Sequence, residues 1–137
     1  MKYLSQPRLL FEGKTRRVIL SEQGFHTSNK GNGERQQAAA YCYAYKIVES
    51  LDGIDAFIYH RHVDHPDEGG LLLGLRAFIP SNGEDRPKKK IYDVFRLVDT
   101  PEWKKACKFA LPVIGLKSWS KERYGIQIVQ LDNRTRG

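Results

Sequence analysis

Apolar positions fall into short blocks whose spacing changes along the chain. Arg17-Val18-Ile19-Leu20-Ser21 is a continuous apolar run with two β-branched residues, bounded by polar sequence. Such a run predicts a buried parallel strand. From Glu34 to Leu51 the spacing becomes helical: Ala38, Ala39, Tyr41, Cys42, Tyr45 and Val48 fall in more than one row. An apolar face that wide suits a helix laid on a sheet. Asp52-Gly53 supplies the stop, and Ile54-Asp55-Ala56-Phe57-Ile58-Tyr59 the next strand. Strand, helix, tight turn and strand make a βαβ unit, whose crossover is right-handed.

The rest is less regular. Residues 1–16 read as a lead-in, with Pro7 and Gly13. Leu71-Leu72-Leu73-Gly74-Leu75, after the Gly69-Gly70 turn, fits either a short strand or a loop pinned by its leucines. Residues 80–90 form a polar excursion. Ile91, Val94, Phe95 and Val98 share one face of a helix over Ile91–Val98. Asp99-Thr100-Pro101 looks like the N-cap of a following helix, with Pro101 at its first position and Trp103–Leu111 as its body, ending before Pro112. Tyr124–Leu131 has strand character, and 132–137 read as a flexible tail. Residues 1–137 are expected to form a single domain.

Composition narrows this picture only a little. The chain has 137 residues, 40% hydrophobic and 28% charged, as in ordinary globular proteins. Its net charge of +7 raises the question of anionic partners. The tight basic runs, Arg16-Arg17 and Lys88-Lys89-Lys90, read as solvated loop charge, so a nucleic-acid partner is not expected. Two isolated cysteines, Cys42 and Cys107, form neither a disulfide framework nor a zinc knuckle, and Cys42 reads as core. No stretch approaches the roughly 20 apolar residues of a membrane span. Met1 to Pro7 has no signal-peptide core. Localisation is left open, export of a parent protein included.

Two segments face any site, because ligands of βαβ units gather at the carboxyl ends of the strands. One is Ser21 to His26, where Glu22 puts a carboxylate at the mouth of the sheet. Glycoside hydrolysis uses two carboxyl groups flanking the scissile bond, and Glu22 can supply one. The other is His60 to Glu68, rich in histidine. His60, His62, Asp64 and His65 repeat the H-x-H-x-D-H spacing of metallo-β-lactamase-like hydrolases, which makes them a candidate metal set. The same polar groups also suit sugar hydroxyls, and no cofactor is implied in that case.

Four pieces carry a likeness to a known family. They are Ile19–Phe25, Ala56–His65, Glu68–Leu75 and Tyr92–Thr100, within about residues 15–120. They resemble the C-terminal portion of an uncharacterised bacterial family of glycoside-hydrolase-like (β/α)8-barrel proteins. The resemblance implies an α/β fold, a partial TIM barrel made of the last βαβα units. It implies strand seven ending at a nucleophile, Glu22, strand eight at Ile54–Tyr59, and the covering eighth helix near Ile91–Val98. His26, Tyr59, His60, Arg61, His62 and Asp64 would hold the substrate. A complete barrel needs about 250 residues. The chain therefore reads as a C-terminal barrel fragment, lacking the acid/base carboxylate of strand four and inactive alone. Its partners would be a carbohydrate and, through open strand edges, a second copy or the missing barrel half. The rival readings are a metal-dependent hydrolase and a non-enzymatic basic binding module.

Overall fold

The computed structural model describes residues 4–78 and 86–120. The lead-in holds a 3-10 turn at Pro7–Leu9 and a small antiparallel bridge between Phe11 and Lys14. β1 spans Val18–Gln23, α1 Gly33–Glu49 and β2 Ile54–Tyr59. The helix and both strands lie where the periodicity places them. β1 runs two residues further than the apolar run, so Glu22 lies within the strand. The two strands pair in parallel, with Ile19 beside Ala56, Leu20 beside Phe57 and Gln23 beside Tyr59.

α1 covers one face of this sheet. Tyr41 stacks on Phe57 and meets Tyr59 edge-on, so those two strand residues face the helix. Alternation along a strand turns Ile58 the other way, with Ile19 and Ala56 beside it. Ile19 and Ile58 are 59% and 50% exposed.

α2 spans Lys90–Leu97, as the apolar spacing requires. Ile91 and Val94 anchor it in the core, and burying one such side chain contributes about 1.5–3 kcal/mol. The helix expected over Trp103–Leu111 is instead two short ones, α3 at Trp103–Ala106 and α4 at Ala110–Val113. Between them the Ala110 amide reaches back three residues to the Cys107 carbonyl, a tightened turn. Pro112 sits in the first turn of α4, where a missing N–H breaks no helical bond. Ahead of α3 the Thr100 hydroxyl accepts the Glu102 amide, while α3 begins two residues past Pro101, with Glu102 at its N-cap and no side-chain cap bond. Leu71–Leu75 is a loop, the second of its two expected forms. The strand expected at Tyr124–Leu131 and the tail at 132–137 lie outside the described residues.

Cys42 in α1 and Cys107 after α3 form a disulfide, buried and bridging a sequence separation of 65. Two cysteines are too few for a framework, yet these two pair with each other, and Cys42 lies in the core as expected. Nothing in their spacing announces the pair; α4, which follows Cys107, packs on α1, and the two Cα atoms stand 5.9 Å apart.

The partial barrel is also corrected. Among the described residues the sheet has two strands, each with one neighbour, and no further strand–helix unit extends it. α2 and α4 pack against α1, and α3 against α2, instead of flanking a curving wall of strands. The mixed α/β character and parallel pairing remain. Among the described residues no helix is long and apolar enough to cross a membrane.

Candidate functional site at the strand ends

Parallel pairing delivers both candidate segments to one rim. At their carboxyl ends the strands stay joined, because the His60 amide donates to the Gln23 carbonyl at 2.9 Å. Gly24 makes this approach possible. A Cβ there would meet the His60 carbonyl oxygen at 2.5 Å and Leu73 at 3.2 Å. Past this point the chains diverge into two loops.

Glu22 is exposed on β1, and no hydrogen bond or ion pair holds it among the described residues. His60 and Arg61 are each about one-third exposed and converge on Glu68. The His60 Nε2 lies 2.6 Å from Glu68 Oε1, and the Arg61 Nη1 lies 3.3 Å from the same oxygen. The hydrogen bond from His60, aided by the charge of Arg61, holds the Glu68 carboxyl below the usual range. The peptide between His60 and Arg61 is cis. His62 is exposed at the rim. His26 is exposed too, with its Nδ1 accepting the Leu72 amide at 3.0 Å.

Two expected contact residues turn into the protein. The Tyr59 hydroxyl donates to the Leu73 carbonyl at 2.6 Å, and burial pushes its pKa up to about 12. Asp64 is 5% exposed and accepts from Lys89 Nζ at 2.8 Å and from the Gly74 amide at 2.7 Å. The Lys89 ammonium also reaches Thr27 Oγ1 at 2.9 Å and the Leu72 carbonyl at 3.2 Å. Lys89 is 4% exposed, so the middle member of the lysine run is an internal cation and not solvated charge. An isolated charge at that depth would be very unfavourable, and Asp64 is its counter-ion. Gly74 is required here, since a Cβ would collide with the backbone of Val63, Asp64 and Arg76.

The same lock contains Gln37, which the sequence reading passed over. Its amide nitrogen donates to the Phe25 carbonyl at 2.9 Å and the Gly74 carbonyl at 3.2 Å. It thereby ties α1 to the loops after both strands. A signal existed: Gln37 sits one turn before Tyr41 on the buried face of an alanine-rich helix, where a polar side chain needs partners. Lys89 carried no comparable signal.

The H-x-H-x-D-H spacing does not converge. Asp64 is committed to Lys89, His60 to Glu68, and His65 Nδ1 to the Asp67 amide at 3.1 Å. Among the described residues no group of three or more His, Cys, Asp or Glu side chains is arranged to hold a metal ion. The arrangement instead offers a polar, partly charged rim: an unengaged carboxylate on β1 facing solvent, and an ionised carboxylate clamped by two basic groups after β2.

Residues 1–122 match the model of a family described as of unknown function, DUF5722. No curated protein and no solved structure matches the chain.

Proposed function

We propose that this chain, which belongs to the DUF5722 family, presents a carbohydrate-binding rim of glycoside-hydrolase character, with Glu22 as the carboxylate directed at the sugar. The observation that carries the reading is the hydrogen bond from the His60 amide to the Gln23 carbonyl, which sets the Glu22 segment beside His60, Arg61 and Glu68. Exposed carboxylate, imidazole and guanidinium groups on one rim can each engage sugar hydroxyls. Charge-assisted hydrogen bonds of this kind are stronger than neutral ones.

The roles follow from the environments. Glu22, exposed and uncommitted, is the group free to meet an anomeric carbon or orient a water. Arg61 and His60 orient Glu68 and keep it ionised, so Glu68 accepts hydrogen bonds and is a poor proton donor. Asp64, buried and bonded to Lys89, is out of a substrate's reach. Hydrolysis requires a carboxylic acid to protonate the leaving oxygen. Sugar binding with little or no turnover is therefore expected of the isolated chain.

Calorimetric titration with neutral and acidic oligosaccharides tests this. Glu22→Gln should weaken binding about three- to tenfold without moving the melting temperature, the loss of one charge-assisted hydrogen bond. Failure of every oligosaccharide to bind, or binding indifferent to both Glu22→Gln and Glu68→Gln, overturns the reading.

A further inference from the structure

Beyond the rim, three extended segments lie side by side. The Leu75 and Arg76 amides donate to the Arg61 and His62 carbonyls at 3.1 and 3.0 Å. The Asp64 amide donates to the Arg76 carbonyl at 2.9 Å, and the Lys89 amide to the Leu75 carbonyl at 2.9 Å. Val63 bridges Arg76 in parallel, and Arg76 bridges Lys88 antiparallel. Bridged residues point to the same side of such a ladder. The inner side carries Asp64, Leu75 and Lys89, all buried. The outer side carries Arg76 and Lys88, two cations directly opposite one another.

Both cations lie on one aromatic ring. The Arg76 Cζ and the Lys88 Nζ are each 4.7 Å from the centre of Tyr92 in α2. Arg76 is fixed further by donating from Nη1 to the Arg86 carbonyl at 2.8 Å. The hydrogen bond from Arg76, together with the charges of Lys88 and Arg96, holds the Tyr92 hydroxyl below the usual range. Among the described residues neither Arg76 nor Lys88 has a carboxylate partner, and Arg96 has only a long, exposed contact with Asp93 at 3.9 Å. Like charges placed opposite each other repel, so an anion between them relieves an unfavourable arrangement.

We propose that Arg76, Lys88 and Arg96, gathered about Tyr92, bind the carboxylate or sulfate groups of an acidic polysaccharide whose chain continues to the strand-end rim. This rests on the carbohydrate reading above and specifies its ligand class. The ladder supports the continuity, since the Arg76 amide is bonded to the His62 carbonyl. A nucleic acid fits less well. Its charge repeats about every 1.7 Å of duplex, a density far above what three cations about one ring can match. The Tyr92 ring is already engaged by two cations, each 4.7 Å from its centre, which compete with a stacked base.

The test is binding of the purified full chain to polygalacturonate, dextran sulfate, neutral dextran and duplex DNA, at low and moderate salt. Binding to either acidic polysaccharide, salt-sensitive and absent with neutral dextran, is expected. Lys88→Gln should weaken it roughly fivefold, and the double change with Arg76→Gln further, because each removes a charge from the contact. Lys88→Arg should retain binding, as should Lys14→Gln, a control in the exposed lead-in before the amino end of β1. Lys88 is exposed, so its variants probe the contact without opening the core. Equal binding by Lys88→Gln and wild type overturns the proposal, as does equal binding of neutral dextran or tighter binding of DNA. Glu22→Gln separates the two readings: lost oligosaccharide binding in that variant with polyanion binding intact supports both. Polyanion binding that depends on Lys88, while no oligosaccharide binds the rim, removes the hydrolase-type reading and leaves the basic strip.

Discussion

His62 and Asp64 stand two residues apart in one loop and end in opposite surroundings. His62 is exposed at the rim, whereas Asp64 is buried against Lys89 and the Gly74 amide. The contrast extends to the regions around them. Asp64, Lys89, Gln37 and Tyr59 form an inner lock, in which each polar group holds another segment of the chain. Glu22, His60, Arg61 and Glu68 form a rim in which groups are partly exposed and one carboxylate is uncommitted. Residue types suited to chemistry are therefore also residue types suited to fastening loops. Burial and partners, not identity, separate the two uses.

Mutations should divide along the same line. Asp64→Ala is the most damaging, since it strands the Lys89 ammonium inside; about 3–5 kcal/mol of stability should be lost in denaturant unfolding. Adding Lys89→Met to Asp64→Leu should return most of it, because an apolar pair replaces the ion pair without leaving a charge behind. Failure of the double change to recover would show that the lock works through more than its charges. Replacing Cys42 and Cys107 by alanine should cost about 2–4 kcal/mol, by freeing the unfolded chain of a long closed loop. Rim binding measured below the new melting temperature should be unchanged, since the disulfide lies between helices away from the strand ends.

At the rim the effects on folding are small. Glu68→Gln should barely change stability in denaturant unfolding, as surface substitutions usually do. Its pH signature has a definite sign. The folded carboxyl titrates below its ordinary value of 4.5, so its favourable contribution is present above that pH and is lost as the pH falls below it. Acid unfolding curves of wild type and Glu68→Gln should converge at low pH and separate slightly above it. Curves that separate only toward neutral pH would place the His60–Glu68 contact in error.

Much of the fold is legible in the sequence. Ile19 and Leu20, and Phe57 to Tyr59, mark strands, while Ala38 to Val48 marks the long helix between them. Those segments obey single periodicities, so local pattern and tertiary burial agree. The barrel inference failed because a strand–helix–strand unit does not fix how many strands pair beside it. The disulfide was hidden because Cys42 and Cys107 meet only through tertiary packing, and the helix expected at 103–111 breaks where that tether falls. Lys89 was hidden by its neighbours, since a lysine triplet looks solvated until one member meets Asp64. The rule that ligands gather at strand ends brings the Glu22 and His60 segments to one end of the sheet, where the His60 amide meets the Gln23 carbonyl. Glu68, directly before the Gly69-Gly70 pair, gained importance only through its contacts.

The central claim is that the rim, and not the inner lock, meets a sugar. Amide chemical shifts of the full chain, followed during titration with oligogalacturonate, test it most directly. The account predicts saturable shifts at Glu22–Gly24, His60–His62 and Arg76, with Gln37, Asp64 and Lys89 affected far less. Shifts confined to other surfaces, or no shifts at saturating oligosaccharide, would contradict it.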